Sequence, residues 1–200
     1  MARSTPNRIT DAPRDAIALL KQDHHAVDAL FKEFESADED RQFQLAEQAC
    51  QMLMVHAQIE EEILYPAASE ALEDEEELEL VHEAAVEHAS VRDLIAKLED
   101  MVAGDETFRA TVTVLAEYVR HHVKEEEGEL FPKLKKTDLD LKTMGRQLAE
   151  RKLALMDEMG IEAEVSPPTR KRAARSRKAT GRTQRKPAAR GGAHTRTARH

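Results

Sequence analysis

Apolar residues recur along this chain at alternating intervals of three and four, the spacing of one buried helix stripe, in five successive stretches. The first stripe is Ile17, Leu20, Val27, Phe31 and Phe34, with Thr10 and Asp11 as N-cap candidates and Pro13 suited to a first helical turn. A charged break at residues 36–41 precedes a second helix over 42–70, whose stripe holds Ala49, Leu53, Ile63 and Ala67. An acidic run at 73–77 then suits the positive end of a third helix, with Val81, Ala84, Val91, Ile95 and Leu98 inward. Gly104 and Asp105 mark a turn before a fourth stripe of Phe108, Val112, Leu115 and Val119. A fifth amphipathic segment, 139–159, carries Leu141, Leu148, Leu155 and Met159 on one side and stops at Gly160. Strand-like alternation is missing throughout, so the pattern predicts an all-α fold of antiparallel helices.

Four of these stripes are interrupted at places where an apolar residue is due. His24 fills the vacant place in the first, His56 and Glu60 in the second, His88 in the third, and His122 and Glu126 in the fourth. The interruptions repeat. His-Ala-Gln-Ile-Glu-Glu-Glu-Ile-Leu-Tyr-Pro from His56 matches His-Val-Lys-Glu-Glu-Glu-Gly-Glu-Leu-Phe-Pro from His122 at an offset of 66. Asp23-His24 with Val27 and Leu30 likewise matches Glu87-His88 with Val91 and Leu94 at an offset of 64. The chain reads as a duplicated helical hairpin. In each half, Pro66 or Pro132 is expected to kink or end its helix shortly after the histidine–glutamate pair.

Charge divides the chain into two materials. All 39 acidic residues fall at or before Glu164, whereas residues 166–200 hold 12 of the 30 Lys and Arg and no acid. That tail, opened by Pro167-Pro168, cannot build a core and reads as disordered, as do residues 1–12. The remaining boundaries are a bundle over 13–136, an extra helix over 137–160 and the tail over 161–200. Without aromatic residues between its charges, the tail suits DNA, RNA or polyphosphate through counterion release, or solubility alone, and gives no sign of sequence-specific readout. Single Cys50, the absence of a long apolar run and the polar N-terminus point to a cytoplasmic protein without a membrane partner.

A buried carboxylate without a partner is costly, so Glu60 and Glu126 need a reason to face inward. Coordination supplies one. Four imidazoles and two carboxylates satisfy each other's charge around two cations, and a mixed N and O set without thiolate suits iron or manganese better than structural zinc. Two imidazoles and two shared carboxylates per ion leave positions open for water, hydroxide, dioxygen, peroxide or nitric oxide. His25, His82 and His121 lie off the stripes and read as solvent-facing. Glu61, Glu62, Glu125 and Glu127 read as a solvated acidic face, with Glu61 or Glu127 able to replace its neighbour as ligand on a distorted helix. Cys50 reads as a small core hydrophobe, and Met52, Met54 and Met101 as packing. No Ser-His-Asp or Cys-His arrangement offers a nucleophile, so no catalytic side chain is assigned.

These residues resemble the hemerythrin-like, or HHE cation-binding, family over about 14–135. The resemblance rests on Asp23-His24, His56-x-x-x-Glu60 with Leu64-Tyr65-Pro66, Glu87-His88, and His122-x-x-x-Glu126 with Leu130-Phe131-Pro132. It implies an up-down four-helix bundle around an oxo- or hydroxo-bridged non-haem di-iron centre, with Glu60 and Glu126 bridging and His24, His56, His88 and His122 terminal. The four-histidine set departs from the five of the family's oxygen carriers. What it implies is iron handling, sensing of oxygen or nitric oxide, or defence against peroxide and nitrosative stress.

Overall fold

A computed structural model describes residues 15–161; the expected N-caps Thr10 and Asp11, the first-turn Pro13 and the segments read as disordered lie outside the described residues, apart from Ile161. Every regular element in that range is helical. Helix α1 spans Ala16–Ser36 and α2 spans Glu39–Ile59; a π-helical turn, Glu60–Leu64, joins α2 to α3, Tyr65–Ala71. The second hairpin repeats the scheme with α4 (Glu75–Glu99), α5 (Phe108–Glu125), a π turn at Glu126–Leu130 and α6 (Phe131–Leu134). A final helix, α7, covers Leu141–Glu158. The result is the expected up-down four-helix bundle plus one helix.

The boundaries have local causes. Asp15, Asp38, Asp74 and Asp140 each cap a helix by accepting a backbone N–H from its first turn, at Ala18, Arg41, Glu76 and Thr143 respectively. The α1–α2 turn closes on Gln42, whose buried amide donates to the Phe34 carbonyl at 2.9 Å. Gly104 (φ 88°) and Gly160 (φ 66°) adopt the left-handed backbone that ends α4's turn and α7.

Two apolar cores flank a polar layer. One gathers Ile17, Leu20, Ile59, Leu64, Phe131 and Leu134 with Leu148 and Leu155 of α7; the other gathers Val27, Phe31, Leu45, Val91, Ile95 and Val112 at the far end of the bundle. Every expected stripe residue of the first, third and fourth helices is buried. The second stripe needs correction after Glu60: Leu64 and Ala68 are buried, where the periodicity had Ile63 and Ala67, which are only partly so. The π turn inserts one residue into the helical count and slides the inward face by one position. It also absorbs the prolines, since Tyr65 and Phe131 donate back five residues to the Glu60 and Glu126 carbonyls, immediately before Pro66 and Pro132.

The fifth segment packs across the bundle. A Cβ at Gly145 would lie 2.7 Å from the backbone of Asp15 and Ala16, so α7 crosses the start of α1 backbone against backbone. Leu148 and Leu155 are buried, Leu141 is half-buried, and Met159 is 45% exposed, so the expected stripe ends one turn early.

Candidate metal centre

All six residues that interrupt the stripes are buried in the layer between the two cores. Helical spacing brings His56 and Glu60 onto one face, and His122 and Glu126 onto another, while α1 and α4 deliver His24 and His88. The Nε2 atoms of His24 and His56 lie 3.1 Å apart, and those of His88 and His122 lie 3.2 Å apart. Glu60 Oε2 is 3.1 Å from His56 Nε2 and 3.4 Å from His88 Nε2. Glu126 Oε2 is 3.3 Å from His24 Nε2 and 3.9 Å from His122 Nε2. Two ligand groups emerge: His24, His56, Glu60 and Glu126, and Glu60, His88 and His122, so Glu60 belongs to both.

A second layer of carboxylates holds the imidazoles from behind. His24 Nδ1 donates to Glu127 at 2.8 Å, His88 Nδ1 pairs with Glu61 at 3.1 Å, and His122 Nδ1 donates to Glu87 at 2.8 Å. His56 Nδ1 faces Asp23 at the longer distance of 3.7 Å. A carboxylate can only accept, so each of the three hydrogen bonds, at His24, His88 and His122, puts a proton on Nδ1 and, in the neutral ring, a lone pair on Nε2 toward the centre. Two of the four pairings cross between halves. Glu61 serves His88 of the other hairpin, and Glu127 serves His24.

Glu61 and Glu127 therefore correct the reading of a solvated acidic face: each stands behind a histidine, Glu61 at His88 and Glu127 at His24. Three of the second-layer carboxylates also meet a cation, Lys21 at Glu127 (2.5 Å), Arg92 at Glu61 (2.6 Å) and Lys152 at Asp23 (2.5 Å), while Glu87 has the His121 ring 3.6 Å away. His25 and His82 are exposed, as expected, and Cys50 is a buried thiol that burial pushes up to about 12. Tyr65, aligned in sequence with Phe131, places its hydroxyl 3.3 Å from His88 Nε2, while Phe131 stacks on His24. A tyrosine in an otherwise phenylalanine-compatible position was the available signal.

Protons alone serve this layer poorly. Burial pushes Glu60 up, and the Glu126 charge adds to it. Burial also disfavours a charged His56, but the Glu60 and Asp23 carboxylates outweigh it and lift that ring to about 10. Burial and the neighbouring His122 hold His88 down at about 2. All four oxygens of Glu60 and Glu126 remain without a hydrogen-bond partner in the interior. Each of the two carboxylates would cost on the order of several kcal/mol as an isolated charge, and a cation offsets that cost directly. The donor set fits a metal.

On the histidine side, a cavity of about 20 Å³ is lined by all four rings with Val27, Leu53, Val91 and Val119. It has room for about one water-sized or diatomic molecule.

Fold and layer together define a helical-bundle protein with an interior built for cations. The sequence matches the family described as Hemerythrin HHE cation binding domain over residues 15–134, and the chain belongs to that family. The fold resembles the crystal structure of a hemerythrin HHE cation binding domain-containing protein from Mycobacterium kansasii, with a TM-score of 0.60 and 24% identity, covering 72% of this chain and 88% of that one. A curated relative named DNA nickase, from Nostoc sp. (strain PCC 7120 / SAG 25.82 / UTEX 2576), is 28% identical over 114 residues; the match takes in 56% of this chain but only 31% of the relative's length. Among the described residues, no helix is long and apolar enough to cross a membrane.

Proposed function

We propose that the protein is a cytoplasmic non-haem di-iron protein that binds, senses or reacts with a small oxidant: dioxygen, peroxide or nitric oxide. Its setting would be iron handling or oxidative and nitrosative stress. The observation that carries the reading is the set of four buried, unpartnered oxygens of Glu60 and Glu126 facing four imidazole Nε2 atoms. In this reading His24 and His56 would hold one ion and His88 and His122 the other, with Glu60 and Glu126 supplying the carboxylate ligands. Two iron ions, or manganese in their place, supply Lewis acidity and redox change at positions the protein leaves open.

The chain's own groups do the rest. Glu127, Glu61, Glu87 and Asp23 keep the imidazole lone pairs aimed inward, and the valine-lined cavity admits a small ligand while excluding bulk water. Tyr65, packed in the core on the other side of the layer from that cavity, brings its hydroxyl to 3.3 Å from His88 Nε2. Burial and the nearby Glu60 and Glu126 charges hold this phenol well above its ordinary range, so it keeps its proton.

Metal analysis and an optical spectrum of the purified full-length protein test the proposal. About two irons per chain are expected, with near-ultraviolet absorption that shifts on adding azide or peroxide. Protein from iron-rich culture with no bound metal, and with stability unchanged by chelation, would overturn it.

A second reading attaches to the tail. Its 12 basic and no acidic residues over 166–200 suit a polyanion, and one relative's name refers to DNA. In that reading metal merely stabilises the bundle, and the tail docks it on DNA, RNA or polyphosphate.

A further inference from the structure

The two halves of the bundle are related by duplication, yet their outer faces differ. In the second half a narrow crevice of about 10 Å³ opens between α4 and α5, lined by Glu83, Glu87 and Glu125 together with Leu80, Ala84 and Leu130, and reaching His122 and Glu126. At its mouth stands His121, exposed, with Nε2 3.2 Å from Glu125 Oε1 and 3.6 Å from Glu87 Oε1. Ligand atoms of these three residues lie within 4.8 Å of one another.

The corresponding place in the first half is closed. By the offsets of 64 and 66, Glu83 matches Leu19, Glu125 matches Ile59 and His121 matches Val55. Those three apolar residues are buried in one core with Met144, Leu148 and Leu155 of α7. Lys152 of α7 occupies Asp23, the counterpart of Glu87. Duplication therefore created two equivalent approaches to the polar layer, one sealed by α7 and one lined with carboxylates.

We propose that Glu87, His121 and Glu125 form an outer divalent-cation site through which the buried centre is loaded. The proposal rests on the metal-centre reading above for its destination, though not for the outer site itself. One imidazole and two carboxylates are a ligand set for Fe(II) or Mn(II), with water completing the shell. Glu87 links the stations: its Oε1 faces His121 outside, and its Oε2 accepts from His122 Nδ1 inside. Farther in, the crevice ends on Glu126, buried and with both oxygens unpartnered, which is where an arriving cation would be drawn. Carboxylates of one sign along a low-dielectric cleft raise the local cation concentration and the rate of entry.

The test compares metal-free full-length protein with a His121→Ala/Glu125→Ala variant, His121 being exposed and Glu125 half-buried. Substoichiometric Mn(II) is expected to broaden the His121 ring resonances in the NMR spectrum. That broadening should persist when Glu60→Gln/Glu126→Gln disables the interior and disappear with Glu125→Ala. Anaerobic Fe(II) uptake is expected to slow by about tenfold or more in the surface variant, with the same final iron content and spectrum. Sharp His121 resonances would overturn the outer site, and equal uptake rates would overturn its loading role. If Mn(II) broadens His121 while the interior of the unaltered protein never fills, the loading role falls together with the di-iron reading and the outer site stands.

Discussion

Glu60 and Glu126 pull function and stability in opposite directions. Without a cation each is a buried carboxylate with no hydrogen-bond partner, and burial together with the facing charge opposes ionisation of Glu60. Glu60→Gln removes that charge, so chelator-treated variant should be more stable than chelator-treated parent by about 1–3 kcal/mol. The same substitution should abolish metal retention. Thermal melts with and without chelator, paired with metal analysis, check both signs; loss of stability in the metal-free variant would mean that the carboxylate is satisfied by something else. These two glutamates were legible in the sequence because each breaks an apolar stripe. Glu61 and Glu127 were not, because a carboxylate pointing at a partner helix's imidazole has the same local pattern as one pointing at water.

At the level of elements, the π turns and α7 carry what periodicity missed. Counting by 3.6 predicts Ile63 inward, whereas the π turn puts Leu64 there, and nothing in residues 60–64 alone announces the extra residue. Pro66 and Pro132 hinted at a local disturbance but did not say whether the helix would end or widen. Gly145 is the critical position in α7. Alanine there would gain about 1 kcal/mol of helix propensity, but its Cβ would stand 2.7 Å from the α1 backbone, which cannot yield as a flexible side chain can. The clash should win. Gly145→Ala is expected to destabilise the protein by about 1–3 kcal/mol, read as a lower urea midpoint. Unchanged stability would show that α7 does not hold this close crossing in solution.

For the whole molecule, the proposed metal binding would be coupled to folding. A metal present at a thousandfold excess over its Kd adds about 4 kcal/mol to the stability of the folded chain, so chelation should lower Tm markedly. Acid should do the same. The ligands must be neutral imidazoles and ionised carboxylates, so protons compete with metal as pH falls, and metal-linked stability present near neutrality is lost in acid. A Tm gap between loaded and chelated protein that persists unchanged to low pH would contradict this. The tail adds a separate expectation: affinity for DNA should fall steeply with salt and vanish on truncation after Val165. Salt-independent binding would refute the electrostatic account.

Helix number, class and the inward-facing His24, His56, Glu60, His88, His122 and Glu126 were determined by the sequence alone, because burial writes a period of three and four that a misplaced polar residue visibly breaks. Only the tertiary structure decided which carboxylate stands behind which histidine, where the π turns shift the register, and which face α7 seals. Those features depend on distances between helices far apart in the chain, as with Glu127 and His24 or Lys152 and Asp23, and a one-dimensional period carries no record of them.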